Sequence, residues 1–125
     1  MGTDPSRVIV IVFLFLCTFL SGLVLSHFHR PYSIVLVTVH KLLALGAMVF
    51  IGVLVARAYR IAGLSRLEWA GWFTAGFALL IAFITGALLT AARPAPSALI
   101  VHRITPWLGV TLTAATLYIS FLKTR

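Results

Sequence analysis

The side chains here with most scope for chemistry are histidines, and two of them sit inside apolar sequence. His40 stands in Val39-His40-Lys41 and His102 in Val101-His102-Arg103, each followed by a cation. Each lies at a similar distance beyond a small-residue step. Gly22 of Ser21-Gly22 is 18 residues before His40, and Gly86 of Thr85-Gly86 is 16 before His102. An Arg-Pro pair, Arg30-Pro31 or Arg93-Pro94, falls inside each interval. The pattern predicts a twofold internal repeat of one helix pair, with an Arg-Pro turn and a histidine near the start of the second helix.

Two imidazoles without a nearby carboxylate or thiolate do not complete a tetrahedral zinc site or the two-histidine, one-carboxylate site of non-haem iron. A di-iron carboxylate bundle is excluded because the apolar segments hold no Asp or Glu. Haem brings four donors of its own and needs two axial ligands, so one bis-histidine haem b per chain is the fitting cofactor, with His40 and His102 on the iron. No Cys-x-x-Cys-His motif is present for covalent attachment. Closing both axial positions favours electron transfer over oxygen binding. His27 and His29 lie at the expected water interface and are read as ordinary polar residues there. Propionate contact, loose metal capture or protonation-dependent docking are lesser options for them. Cys17 is the single cysteine and forms no internal disulfide.

The elements that must position these residues are transmembrane helices. Of 125 residues, 62% are hydrophobic and 10% charged, a balance far from that of a soluble domain. The ten Lys and Arg are scattered singly between apolar blocks, so no basic stripe offers itself to nucleic acid. Four spans are predicted, at about residues 8–26, 32–58, 69–91 and 97–122, within a single domain covering 1–125. The first is read as a retained span rather than a cleaved signal. Proline after Arg30 disfavours continuing the first helix and suits the start of the second. Trp69 and Trp72 resemble an interfacial belt. The fold class expected is an all-α membrane protein, an antiparallel four-helix transmembrane bundle.

Arg7, Arg57, Arg60, Arg66, Lys123 and Arg125 fall on one side of such a bundle, and Arg30 and Arg93 on the other. The positive-inside rule makes the first side cytoplasmic, with both termini there, in a multi-pass protein of a prokaryotic cytoplasmic membrane. Helices two and four run the same way, so His40 and His102 are expected within about 5 Å of the same depth, near the extracytoplasmic face. In an up-down bundle these two helices are diagonal partners. Small residues next to the histidines, Ala44 and Ala47 on one helix and Gly109, Thr113 and Thr116 on the other, leave room for a planar ligand or for close helix packing. Gly22 and Gly86 would let a porphyrin edge approach backbone. Pro106 withholds a hydrogen bond from the His102 carbonyl. Lys41, Arg103, Arg30 and Arg93 are candidate counter-charges for haem propionates, or ordinary interfacial anchors.

With these residues the chain resembles the small four-helix membrane b-type cytochromes. That superfamily includes diheme cytochromes exchanging electrons with quinols, ascorbate or superoxide, ferric-reductase-like membrane domains and haem-bearing anchor subunits of dehydrogenases. The resemblance spans all four helices and rests on His40 and His102 with their following cations. Diheme members carry a histidine pair near each surface, whereas this chain has no histidine in the cytoplasmic half. The resemblance therefore implies one haem exchanging electrons with quinol or an outer-face redox partner, as a membrane oxidoreductase or its cytochrome subunit. A homodimer or a partner subunit is compatible with it. The alternative class is a haem-free scaffold, assembly factor or transporter subunit. The lack of intramembrane Asp and Glu argues against a proton-coupled transporter. Against a pore, the polar stripe of Thr105, Thr113, Thr116 and Ser120 is thin.

Overall fold

The computed structural model describes the backbone of residues 5–28, 31–91, 93 and 95–123, and side chains through Ser120. Four α-helices account for most of it: α1 (Pro5–His27), α2 (Ile34–Ala62), α3 (Arg66–Leu88) and α4 (Pro96–Lys123). No strand occurs among the described residues. Helices α1, α2 and α3 are each long and apolar enough to cross a membrane. At about 1.5 Å per residue, even 23 residues reach roughly 35 Å. Large apolar side chains line their outer surfaces, among them Phe13, Ile34, Phe73 and Phe77, all exposed. In water such a surface would drive association; against lipid it is the expected face.

Helix ends follow local chemistry. α2 continues past the expected residue 58 to Ala62, where Gly63 takes a left-handed φ of 66° and its N–H donates to the Tyr59 carbonyl. Only glycine enters that conformation without a Cβ penalty, so it stops the helix. α3 starts three residues earlier than expected because Ser65 and Glu68 form a reciprocal capping box. Ser65 Oγ accepts from the Glu68 N–H at 3.3 Å, and Glu68 Oε2 accepts from the Ser65 N–H at 2.8 Å and from its hydroxyl at 2.7 Å. The motif Ser-x-x-Glu is visible in sequence, and it turns the expected ten-residue basic loop into Gly63-Leu64-Ser65. Tyr59 and Trp69 close the turn, their rings 5.8 Å apart. Ser33 starts α2, and Pro96 occupies the first position of α4, where its missing N–H is no loss.

The described chain falls into two compact units, one reaching to Val53 and one running from Leu54. In the second, α3 and α4 form an antiparallel hairpin with a fixed register. Along the pair, Glu68 meets Ser120, Gly71 meets Thr116, Leu79 meets Gly109, and Gly86 meets His102. The seam is built from small residues. Ala75 and Thr113 are at most 1% exposed, and Ala78, Ala82, Thr85, Ala98, Thr105 and Thr116 are also buried. On α3 the small positions 71, 75, 78, 82 and 85 step alternately by four and three, as a helix pair requires. Small side chains let backbones approach, which is how helices gain van der Waals energy in lipid.

The buried threonines of α4, Thr105, Thr113 and Thr116, thus face α3. Each satisfies its hydroxyl on its own helix: Thr105 donates to the Val101 carbonyl, Thr113 to Gly109 and Thr116 to Leu112. Their polarity is consumed locally. Near the hairpin's α3 start, the Glu68 carboxylate is only 3% exposed and accepts from Ser120 Oγ at 2.8 Å. Trp72 departs from the interfacial-belt expectation. It lies one turn beyond Glu68 on the same face and is buried, its indole Nε1 without a hydrogen-bond partner. Trp69 is the exposed tryptophan of the pair.

A Cβ at Gly71 would overlap Thr116, whose β-branched side chain is buried and has few alternatives. Gly71→Val is expected to cost about 1–3 kcal/mol. Combining it with Thr116→Ala should recover at least about 0.5 kcal/mol beyond additivity. Denaturant unfolding of the detergent-solubilised double-mutant cycle measures both values.

Candidate functional site

Each histidine singled out above is carried on the second helix of a pair, and each reaches back to the first. In the unit ending at Val53, His40 of α2 meets Ser21 and Gly22 of α1. In the other unit, His102 of α4 meets Ala82, Thr85 and Gly86 of α3. The two pairs place equivalent atoms in equivalent positions. A hydroxyl lies beside Nδ1, and the glycine that follows it in sequence lies under the ring edge.

Hydrogen-bond accounting assigns the His102 tautomer. His102 Nδ1 is 2.7 Å from the Ala82 carbonyl oxygen, which only accepts, so this nitrogen carries a proton and donates it. Thr85 Oγ1 lies 3.3 Å away but directs its own proton to the Ile81 carbonyl at 2.7 Å, or Ala82 at 3.1 Å, so it too faces His102 as an acceptor. Ser21 Oγ donates to the Thr18 carbonyl at 2.9 Å. The same oxygen is 2.9 Å from His40 Nδ1, which donates to it when the serine proton is on the Thr18 carbonyl and accepts from it otherwise. The donor at His102 is thus Nδ1, which leaves Nε2 as the nitrogen opposite the anchored one, the arrangement of a metal-ligating histidine.

The glycines make these hydrogen bonds possible. A Cβ at Gly22 would stand 3.1 Å from His40 Cε1, and one at Gly86 only 2.7 Å from His102 Cε1. The atoms above both glycines are thus imidazole atoms; the sequence pattern had suggested the edge of a macrocycle there. Both histidines are half-buried. One turn from His40, toward the α1–α2 connection, Leu25, Phe28, Pro31, Ser33 and Leu36 line an apolar hollow of about 460 Å3.

Among the candidate counter-charges, Lys41 is half-buried and follows His40 directly, while Arg103 and Arg93 are exposed. Arg30 and His29 lie outside the described residues. His27 is the exposed last residue of α1, its ring edge-on to Phe28. No group of three or more His, Cys, Asp or Glu assembles as a metal site among the described residues. An ion relying on protein donors alone would have too few, whereas a macrocycle with four nitrogens requires only an imidazole on each axial side. Ser21, Thr18, Thr85 and the Ala82 carbonyl are the site residues the sequence pattern did not single out. The small-residue step contained two of them. Only the side-chain geometry shows that its hydroxyl, and not merely its size, is used.

Gly86→Ala is expected to push His102 off the Ala82 carbonyl and destabilise the α3–α4 hairpin by about 1–3 kcal/mol. Gly22→Ala should be milder, since its contact is 0.4 Å looser (3.1 against 2.7 Å). Two-dimensional 15N spectra of the histidine rings check the order: loss of the Nδ1–H pattern at His102 in the first variant, and an unchanged pattern at His40 in the second.

No protein-family model matches the chain, and neither a curated protein nor a solved structure shows significant similarity to it.

Proposed function

We propose that the protein is a membrane-embedded b-type cytochrome with His40 and His102 as axial ligands of one haem. The observation that carries this reading is the matched anchoring of the two imidazoles, each held at Nδ1 by a group on the preceding helix. An axial ligand needs a ring nitrogen opposite the anchored one for the iron, and in both rings that nitrogen is Nε2.

The topology belonging to this reading has four spans, related as two copies of a helix hairpin. α4 is less apolar than the others, but its buried threonines are satisfied on their own helix, which supports a span packed on α3. The basic residues Arg7, Arg57, Arg60 and Arg66 would then lie at the cytoplasmic surface with both termini. The histidines, the Arg-Pro turns, Lys41 and Arg103 belong toward the outer face. There Lys41, Arg103, Arg30 and Arg93 would balance the propionates by snorkelling. Held by His40 and His102, a haem would supply one-electron exchange, and Ser21 and the Ala82 carbonyl would keep the two imidazoles in place. Quinol or an outer-face redox protein is the electron partner of this reading, through this chain alone, a homodimer or a complex with another subunit.

A second reading has a specific observation in its favour. The His102–Ala82 hydrogen bond joins α3 to α4 without any bound group, and a small haem-free scaffold, assembly factor or transporter subunit would use it as a fastener.

A reduced-minus-oxidised optical spectrum of the detergent-purified protein separates the two. The cytochrome reading expects a sharp low-spin b-type signature at one haem per chain, with His40→Ala and His102→Ala each abolishing it. A protein that stays colourless after haem addition overturns the cytochrome and leaves the fastener.

A further inference from the structure

In the unit running from Leu54, the sequence holds one acidic side chain, Glu68. Its carboxylate is buried and accepts from Ser65 and Ser120, on the face of α3 turned to α4. Arg66 stands two residues earlier, about 200° round the helix from Glu68, and is exposed. Trp69, Phe73 and Phe77 follow Arg66 by three, seven and eleven residues, which returns them to its side of the helix. All three are exposed, and the Trp69 and Phe73 rings are 6.3 Å apart. One stripe of α3 thus runs from a cation through an indole to bare apolar surface. Across the Gly63 turn, the Tyr59 ring lies 5.8 Å from that of Trp69. Arg60, next in sequence to Tyr59, is exposed as well. Two arginines therefore flank one exposed aromatic pair, and the unit's sequence supplies no second carboxylate to answer them.

We propose that the turn between α2 and α3 binds an anionic phospholipid, with its phosphate on Arg60 and Arg66 and an acyl chain along Trp69, Phe73 and Phe77. An amphipathic surface calls for an amphipathic ligand. A free anion would use the arginines and leave the stripe bare, and a purely apolar partner would leave two guanidiniums unanswered. The guanidinium fork matches phosphate oxygens. Both α2 and α3 are long and apolar enough to cross a membrane, so the short turn joining them lies at a membrane surface, level with headgroups. Indole and phenol rings favour that boundary. Phe73, seven residues beyond Arg66, is about 10 Å deeper along the helix, at the level of acyl chains. A zwitterionic lipid brings the same phosphate but carries its own ammonium, so the arginines select for net negative charge. Arg57 lies on α2 about 160° round from Tyr59 and takes no part. The site is independent of the haem reading.

Native mass spectrometry of the detergent-purified protein tests this, with equal amounts of palmitoyl-oleoyl phosphatidylglycerol and palmitoyl-oleoyl phosphatidylcholine as probes. The parent should retain the glycerol lipid about tenfold over the choline lipid. Arg60→Gln combined with Arg66→Gln should bring that ratio to about twofold or less. Arg7→Gln combined with Arg57→Gln removes the same charge elsewhere and should leave the ratio within about twofold of the parent's. Phe73→Ser should lower retention of both lipids about threefold and leave their ratio unchanged. Excess inorganic phosphate should leave the lipid bound. Unchanged helical content by circular dichroism keeps a folding defect apart from these effects, and all the substituted side chains except Arg7 are exposed. Equal losses in the two double variants overturn the proposal in favour of diffuse charge attraction. Displacement of the lipid by phosphate overturns it in favour of a free-anion site. A second copy of the chain retained in place of lipid, and lost in Phe73→Ser, overturns it in favour of an interface between copies.

Discussion

The described architecture depends on a requirement of apolar surroundings: a polar atom away from water must find its partner within the protein. Apart from the Trp72 indole, the buried polar groups described above can be followed to such partners. The imidazoles hydrogen-bond across to the preceding helix, at Ser21 and at Ala82. The buried threonines of α4 fold back onto carbonyls four residues earlier, and the Glu68 carboxylate gathers donors from Ser65 and Ser120. These constraints place the histidines more firmly than apolar packing could, since lipid offers almost the same contacts as a neighbouring leucine.

Small residues are the second half of the same arrangement. A hydrogen bond from a ring on one helix to the backbone of the next requires close axes, and the glycines and alanines of the α3–α4 seam permit that approach. The site and the fold are coupled through single atoms. The hydrogen that replaces a methyl at Gly86 lets His102 reach Ala82, and the one at Gly71 lets Thr116 sit against α3. The same residues serve packing and chemistry, so in this small chain a site and a helix contact are hard to alter separately.

Much of this was legible in the sequence. The lengths of the apolar runs indicated the helices, the Arg-Pro pairs marked two of their breaks, and the spacing of Gly22, His40, Gly86 and His102 pointed to one repeated arrangement. Ser65-x-x-Glu68, which caps the start of α3, was read as loop because of the charged run around it, and α3 was expected only from residue 69. The inward face of α3 was not legible, nor was the inward turn of Trp72. A helix apolar on all sides carries no periodic signal for which side meets protein and which meets lipid. The tautomer of His102 was also out of reach. Which nitrogen carries the proton depends on whether a carbonyl lies within hydrogen-bond reach of it. Only the three-dimensional meeting of Ala82, Thr85 and His102 decides that.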